Sequence, residues 1–554
     1  TMSLQTYNPP AKTYTIHDIG TLPGYANSIA KAVSNDGTTV VGWSYNSGGT
    51  QGHAFVYDKT GMHDIGSLGS DFSIATGVSF DGSVVVGSLH TSSGQEHGFY
   101  YKNGIMHDIG TMINPNVSDN NFSRVQGVSS DGRYIVGASS GVGFSGNHAF
   151  KYDTFTQQYS DLGALPGFNS AAYASNLDGS VIAGQIHTST TGEIHTAVFK
   201  DGKIIDLGIP SAGYDLSLAL SISDDGKVIS GISVKYDKNE YNQLQNYKIV
   251  SSVGFIATLN DQGNYTTKEI GNVSNSDVFR AISGIASYGS YIVGGPSNSS
   301  PTSYIYDNKT YTDLGSLGYG YISSGAVDIS LNGNIIVGGV SKDASANFGA
   351  TIAKPDNTHA VVWTTSDVVV GPYVNPGPPA PLATNQFYNP ANGHVYEYVA
   401  DSFGWDNSKF IADNKSYAGV KGYLATITSQ DELNFIENNV LPDHNRTDNV
   451  NIGGRLVSGS VSKWQWADGP ENGTIFWDNG PVSGQFAVWA TEMGYPDSYV
   501  PSANILTINS YFIPKFTTSY SSGTGRFIVE YSDFNTLSSS TSASTTAAQA
   551  SQFI

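Results

Sequence analysis

The 554-residue chain contains no cysteine, which excludes disulfides, thiolate metal sites and cysteine nucleophiles together. Charge is scarce as well. Only 13% of residues are charged, and 26 Lys and Arg face 46 Asp and Glu, a net charge of −20. A surface that tracks phosphates needs the opposite balance, so nucleic acid is not an expected partner. No apolar run approaches the roughly 18–20 residues of a membrane helix, so direct membrane insertion is not expected. Gly (64 residues) and Tyr (34) are abundant, alongside Ser, Thr and Asn. That composition suits an extracellular all-β protein, and the missing thiols point to export. Thr1-Met2-Ser3-Leu4 carries neither the basic nor the apolar stretch of a signal peptide. An export signal is therefore expected to have been trimmed from the native chain.

Self-similarity dominates residues 14–370. An acidic-Ile/Leu-Gly triplet begins at Asp18, Asp64, Asp108, Asp161, Asp206, Glu269 and Asp313, giving seven copies 46, 44, 53, 45, 63 and 44 residues apart. Each copy has a turn, usually Asp-Gly, as at Asp36-Gly37, Asp81-Gly82, Asp131-Gly132, Asp178-Gly179 and Asp225-Gly226; Tyr288-Gly289 and Asn332-Gly333 are variants. About five residues on, a Gly closes an apolar run, as at Gly42 and Gly87. A third anchor is a His-led strand: His53-Ala54-Phe55, His97-Gly98-Phe99, His148-Ala149-Phe150, His195-Thr196-Ala197 and His359-Ala360-Val361. β-branched runs joined by Asp-Gly turns predict small antiparallel sheets. Such a unit buries both faces only by stacking on its neighbours. Four short strands per copy predict a seven-bladed β-propeller. The first triplet has no strands before it and the last His strand has no triplet after it, so the N-terminal strand is expected to complete the seventh blade; Asp367–Val370 is the competing candidate.

Eight of the twelve histidines fall in register, five leading the His strands and His17, His63 and His107 at a second position. A shared register predicts a shared structural hydrogen bond and no metal or catalytic role. Gly137-Ala138-Ser139-Ser140-Gly141 matches the G-x-S-x-G hydrolase pattern, but it falls in a blade and not on a strand-to-helix turn, so no nucleophile is expected there. No metalloprotease, phosphate-loop or EF-hand motif is present.

Residues 371–382 are Pro-rich and predict a semi-rigid linker. From 383 to 534 the repeat is gone, and five of the seven tryptophans lie beyond residue 400. Helices are predicted over Asp406–Lys415 and from Ser429, where Glu432 completes a capping box. Strands are predicted at Gly422–Ile427, Val450–Gly454, Trp464–Gly469, Ala503–Ile508 and Phe527–Tyr531, an α+β domain. The Ser/Thr/Ala-rich tail, 535–554, and the first 13 residues have too little apolar content to fold.

The propeller anchors resemble the bacterial extracellular repeat family named for its His-Ala-Phe tripeptide. The resemblance implies a secreted or outer-surface location, in some members as the passenger of an autotransporter. Gly393–Tyr398, Gly422–Ile427, Asn451–Gly454, Trp464–Gly469 and Phe527–Tyr531, in that order, resemble a C-type lectin-like domain. That family's sugar site is a calcium ion held by a Glu-Pro-Asn loop, a following Glu and an Asn-Asp pair after a Trp. Here Asp497 keeps an oxygen ligand, Tyr495 replaces the first Glu, Ala503 or Asn504 falls at the second, and Glu492 offers a substitute. Glu492, Asp497 and Asn504 are fewer donors than the six to eight oxygens calcium takes, so the usual calcium site is not expected. The resemblance places ligand contact at Trp489, Glu492, Tyr495, Asp497, Tyr499 and Asn504, although core burial is the commoner fate of such tryptophans. Tyr suits such surfaces because it pairs a large apolar face with a polar tip.

The expectation is a non-enzymatic, adhesin-like binding protein whose partner is a glycan or a protein on a host or neighbouring cell. Two other classes stay open: a polysaccharide-degrading enzyme on the propeller channel, with Asp237 and Glu240 in a long insert, or a structural matrix protein with a degenerate lectin-like domain.

Overall fold

The computed structural model describes residues 12–117, 119–189, 193–236, 249–270, 282–286, 291–295, 301–307, 309–343, 356–365, 368–374, 377–441, 449–491, 495–496, 503–509, 515–520, 523–532 and 534. The fold is mainly β, and the described residues form two compact units, one within 12–317 and 321–374, the other within 318–320 and 377–534. Asp237 and Glu240 lie outside the described residues.

In the first unit each sequence repeat supplies one antiparallel meander. The first sheet joins Asn27–Val33, Val40–Tyr45, Gly52–Asp58 and Gly61–Asp64 in sequence order. The second (73–108), third (123–163), fourth (170–208), fifth (216–270) and sixth (282–315) repeat that order, the fourth and fifth sharing one parallel bridge between Ile194 and Leu216. The seventh is built from Ser323–Ile329, Ile335–Ser341 and Thr358–Thr365, and the N-terminal strand Tyr14–Gly20 completes it, with Tyr14 opposite Thr365 and Asp18 opposite Val361. Residues 368–370 form no strand.

First strands of consecutive sheets adjoin, and that of the seventh adjoins that of the first. Apolar side chains fill the spaces between sheets. Val41 and Ala54 meet Val85 and Phe99, Val86 and Tyr100 meet Ile135 and Phe150, and Val40 and Phe55 meet Val337 and Val362 of the seventh sheet. The arrangement is propeller-like.

The glycine that closes each apolar run has a steric cause. Every first strand carries a bulge, between Ala30 and Ala32 in the first sheet, that pushes its backbone towards the second strand. A Cβ on Gly42 would lie 2.0 Å from the Ile29 carbonyl oxygen, and one on Gly87 would lie 1.9 Å from that of Ile74. The Asp-Gly turns are side-chain locked too: Asp36 accepts from Ser34 Oγ at 2.7 Å and from the Thr38 N–H at 3.0 Å.

Neighbouring sheets are tied by a serine. Ser73, on the first strand of the second sheet, accepts from the Ala54 N–H at 2.9 Å and donates to the Gly66 carbonyl of the first sheet. Ser123, Ser170, Ser217 and Ser324 make the same two bonds at their junctions, taking the N–H of Gly98, Ala149, Thr196 and Ser303 at 2.7–2.9 Å. Their hydroxyls donate to Gly110, Gly163, Gly208 and Gly315. Ser28 does this between the seventh and first sheets, with Ala360 at 2.8 Å and Gly20 at 2.5 Å.

The five strand-leading histidines share one role. Nδ1 of His53, His97, His148, His195 and His359 bonds Asp64, Asp108, Asp161, Asp206 and Asp18 at 2.8–3.0 Å. Each Asp also accepts from the N–H of the triplet glycine. In the sixth sheet Thr302 Oγ1 takes the histidine's place on Asp313 at 2.7 Å. The second register does not share a job: His17 stacks on Tyr373 and His107 on Tyr100, while His63 bonds Thr60 at 2.6 Å. Position, not chemistry, is what those three have in common.

In the second unit the strand His394–Phe403 pairs antiparallel with the last strand, Gly525–Tyr531, so the unit's ends meet. Gly525–Tyr531 runs parallel to Val450–Leu456, which continues to Lys463–Trp466 and Ile475–Asp478. Ile505–Asn509 pairs with Val450–Leu456 and Lys515–Ser519. Helix α1 (Trp405–Asn414) is pinned by Trp405 Nε1, which donates to the Ile452 carbonyl at 2.8 Å. Helix α2 (Gln430–Phe435) starts at the predicted cap, Ser429 accepting from the Glu432 N–H at 3.1 Å. The reciprocal half differs from a capping box, because Glu432 reaches the Thr428 N–H at 2.8 Å.

The predicted strand Gly422–Ile427 shrinks to Tyr423–Leu424. Side chains take the backbone groups that a ladder would have used: the Leu424 N–H donates to Asp468 at 2.9 Å and the Thr426 N–H to Glu530 at 3.0 Å.

Two outcomes are expected of the first unit. Ser28→Ala orphans the Ala360 N–H and the Gly20 carbonyl, at roughly 1–3 kcal/mol for each group left without a partner, so urea unfolding should show a clear loss of stability. Burial works to lower the pKa of His53, His97 and His195, but their carboxylate partners outweigh it and raise all three: Asp64 and Asp71 for His53, Asp108 and Asp119 for His97, Glu193 and Asp206 for His195. A raised histidine pKa stabilises fully below the unfolded value, near 6.5, and the gain is lost as pH rises through the folded value. His97→Gln should therefore lower Tm most at pH 6, with the gap to wild type narrowing towards pH 9; a gap independent of pH would refute the charged pair.

Candidate functional site

The sequence places the candidate ligand surface between residues 489 and 504. Trp489 is 4% exposed and belongs to the core of the second unit. Its ring lies edge-on to Trp464 at 5.5 Å, Trp477 at 5.8 Å and Phe516 at 5.8 Å. It therefore offers no open face to a sugar, and its expected stacking role is corrected to a packing one. Tyr495 is half-buried, packs against the same core and donates its N–H to the Ala490 carbonyl at 3.2 Å. Asn504 accepts from the Leu456 N–H at 2.9 Å through its backbone oxygen. The Trp489 Nε1 and Asn504 Oδ1 are buried with no hydrogen-bond partner among the described residues. Glu492, Asp497 and Tyr499 lie outside the described residues, so of the calcium donors considered only Asn504 is placed.

Trp464 and Trp466 are also core residues, Trp466 packing against Phe476 at 4.6 Å. Asp468, next along the same motif, accepts from Lys409 Nζ at 2.9 Å as well as from Leu424, which makes it a brace for α1.

A different constellation was not legible in the sequence. His394 and Glu530, 136 residues apart, come together because the strand His394–Phe403 pairs with the last strand of the unit, with Glu530 opposite Tyr396. His394 Nδ1 lies 2.6 Å from Glu530 Oε1. Glu432 reaches in from α2, taking the Tyr396 hydroxyl on one oxygen and Thr428 on the other. One donor atom from each of His394, Glu432 and Glu530 falls within 4.8 Å of the others. Both carboxylates are buried. Burial, reinforced by Glu432, pushes the Glu530 carboxyl up to about 7 against the pull of His394. The His394 pKa is raised: its own burial opposes the charge, but the Glu530 bond outweighs it. Glu432 belonged to the predicted helix cap, but nothing local in the sequence links it to the other two.

No protein-family model matches the chain. Among curated proteins it is similar to halomucin of Haloquadratum walsbyi, 39% identical over 119 residues, which is 21% of this chain. The match spans only 1% of that protein's length. Among solved structures the chain is similar to the C-type lectin CEL-I from Cucumaria echinata, with 15% identity, 28% of this chain and 99% of that chain covered, and a TM-score of 0.22. It is also similar to the mouse scavenger receptor C-type lectin carbohydrate-recognition domain (16% identity, 27% and 97% covered, TM-score 0.21). TolB from Acinetobacter baumannii matches at 11% identity over 60% of this chain and 65% of that chain, TM-score 0.31. Among the described residues no helix is long and apolar enough to cross a membrane.

The burial of Trp489 gives a direct test of its corrected role. Trp489→Ala should destabilise the second unit by about 3–5 kcal/mol, as large-to-small core substitutions do. A variant with unchanged unfolding but altered ligand binding would restore the surface role.

Proposed function

We propose that the seven four-stranded sheets are the blades of a closed β-propeller and that the second unit is a C-type lectin-like module. In this reading the protein is an adhesin-like binding protein of the bacterial outer surface or extracellular space, reached by secretion or as an autotransporter passenger. The propeller is a rigid platform and the module binds a glycan, or a protein, on a host or neighbouring cell. The observation that carries the reading is the topology of the second unit. The strand His394–Phe403 pairs with the last strand, two helices follow it, and a Trp-x-Trp-x-Asp-Gly segment turns its rings into the core. Support for the platform comes from the serine bonds, which repeat at the junction between the seventh and first sheets. We assign the protein no covalent chemistry.

The contact surface in this proposal is the region 492–504, with Tyr495 and Tyr499 as stacking rings and Glu492, Asp497 and Asn504 as polar contacts, while Trp489 stays in the core. With so few oxygen donors, recognition does not depend on calcium. The full chain on a glycan array is expected to bind in calcium and equally in EDTA, with Tyr495→Ala weakening binding about tenfold, the equivalent of about 1.4 kcal/mol. Absence of glycan binding in both buffers would overturn the lectin reading, and binding abolished by EDTA would overturn its calcium independence.

A further inference from the structure

We infer that His394, Glu432 and Glu530 form a binding site for one divalent cation of the zinc class, at the seam where the ends of the second unit meet. The inference goes beyond the glycan-binding proposal and does not depend on it, since none of the three residues belongs to the 492–504 region.

The donors come from three separate elements: the strand His394–Phe403, helix α2 and the last strand. Their donor atoms lie within 4.8 Å of one another, the closest pair 2.6 Å apart. Ligands around a tetrahedral zinc, at bonds of about 2.0–2.2 Å, sit roughly 3.3 Å from each other. The cluster brackets that spacing, so a cation enters by opening the His394–Glu530 pair and drawing Glu432 inward.

Charge favours the same conclusion. Among the described residues, the two buried carboxylates face one group able to carry positive charge, His394, and their other donors are neutral: Tyr396, Thr426 and Thr428. Buried charge needs a compensating partner, and the exposed side of the cluster adds another carboxylate, since Glu471 accepts from Thr426 Oγ1 at 2.6 Å. An imidazole nitrogen among the donors selects zinc and its neighbours over calcium, which takes oxygen alone. The outer contacts are already built. Glu530 keeps its second oxygen on the Thr426 N–H and Glu432 on Thr428, which orient the carboxylates as surrounding hydrogen bonds do in metal sites.

The test is zinc titration of the full chain by calorimetry, with thermal unfolding as a second readout. Wild type should take up one equivalent that His394→Asn and Glu530→Gln weaken by more than about 100-fold, since outer contacts alone are worth 10–100-fold. Zinc should raise the Tm of the second unit in wild type and not in His394→Asn. His394 is the most exposed of the three, so its variant stays informative if Glu530→Gln fails to fold. No uptake by wild type, uptake unchanged in His394→Asn, or calcium bound as tightly as zinc would each overturn the inference. None of these results would alter glycan binding measured on the array.

Discussion

The first unit depends on one hydroxyl group at each of the six junctions whose residues are described. A sheet of four short strands has no closed edge along its faces, and apolar packing between neighbours is non-directional, so packing alone does not fix how far one sheet sits from the next. The serine on six of the first strands does. It holds an N–H of the neighbour's third strand and a carbonyl from the end of its fourth, which sets the spacing at two points from one atom. Both groups would otherwise be buried backbone without a partner. Because Ser28 makes the same bonds across the seventh and first sheets, these two sheets are tied by the same device as consecutive ones.

The histidine–aspartate pair is secondary to this. The fifth repeat has Val253 where the others have histidine and Glu269 where they have aspartate, and its sheet still forms. The sixth satisfies Asp313 with Thr302 and keeps its serine bonds through Ser324. Strand pairing within a sheet thus tolerates exchange of the pair. Every junction whose residues are described retains the serine, and position 280, Arg280 at the equivalent place in the sixth repeat, lies outside them.

The repeat was legible because turn chemistry and steric exclusion leave fixed residues behind: Asp-Gly where φ is positive, and glycine where a bulged backbone leaves no room for a Cβ. The serines were passed over because the distance from the triplet glycine varies, from seven residues at Ser73 to thirteen at Ser123. Measured from the turn they are regular. Ser28, Ser73, Ser123, Ser170, Ser217 and Ser324 each precede the first turn residue by eight positions. The signal was present but anchored to the following landmark, since the loop before a first strand is free to vary while the strand and turn are not. In the second unit, motif order located the strands and the α2 cap. The strand at 422–427 was over-extended because two buried carboxylates, Asp468 and Glu530, replaced a neighbouring strand as hydrogen-bond acceptors, an exchange that no local pattern records.

The two units tie their polar groups differently, and this bears on how each responds to its surroundings. The first joins its sheets with neutral hydroxyls, bonds that neither salt nor pH weakens appreciably. The carboxylate pairs of His53, His97 and His195, whose pKa values are raised, add a pH-dependent increment to it. The second unit instead encloses Glu432 and Glu530 where its ends meet, so the charge state and occupancy of one small cluster bear on the seam that closes the fold. The seam that closes the second unit therefore carries a charge-sensitive cluster of its own, separate from the histidine pairs that make the stability of the first unit depend on pH.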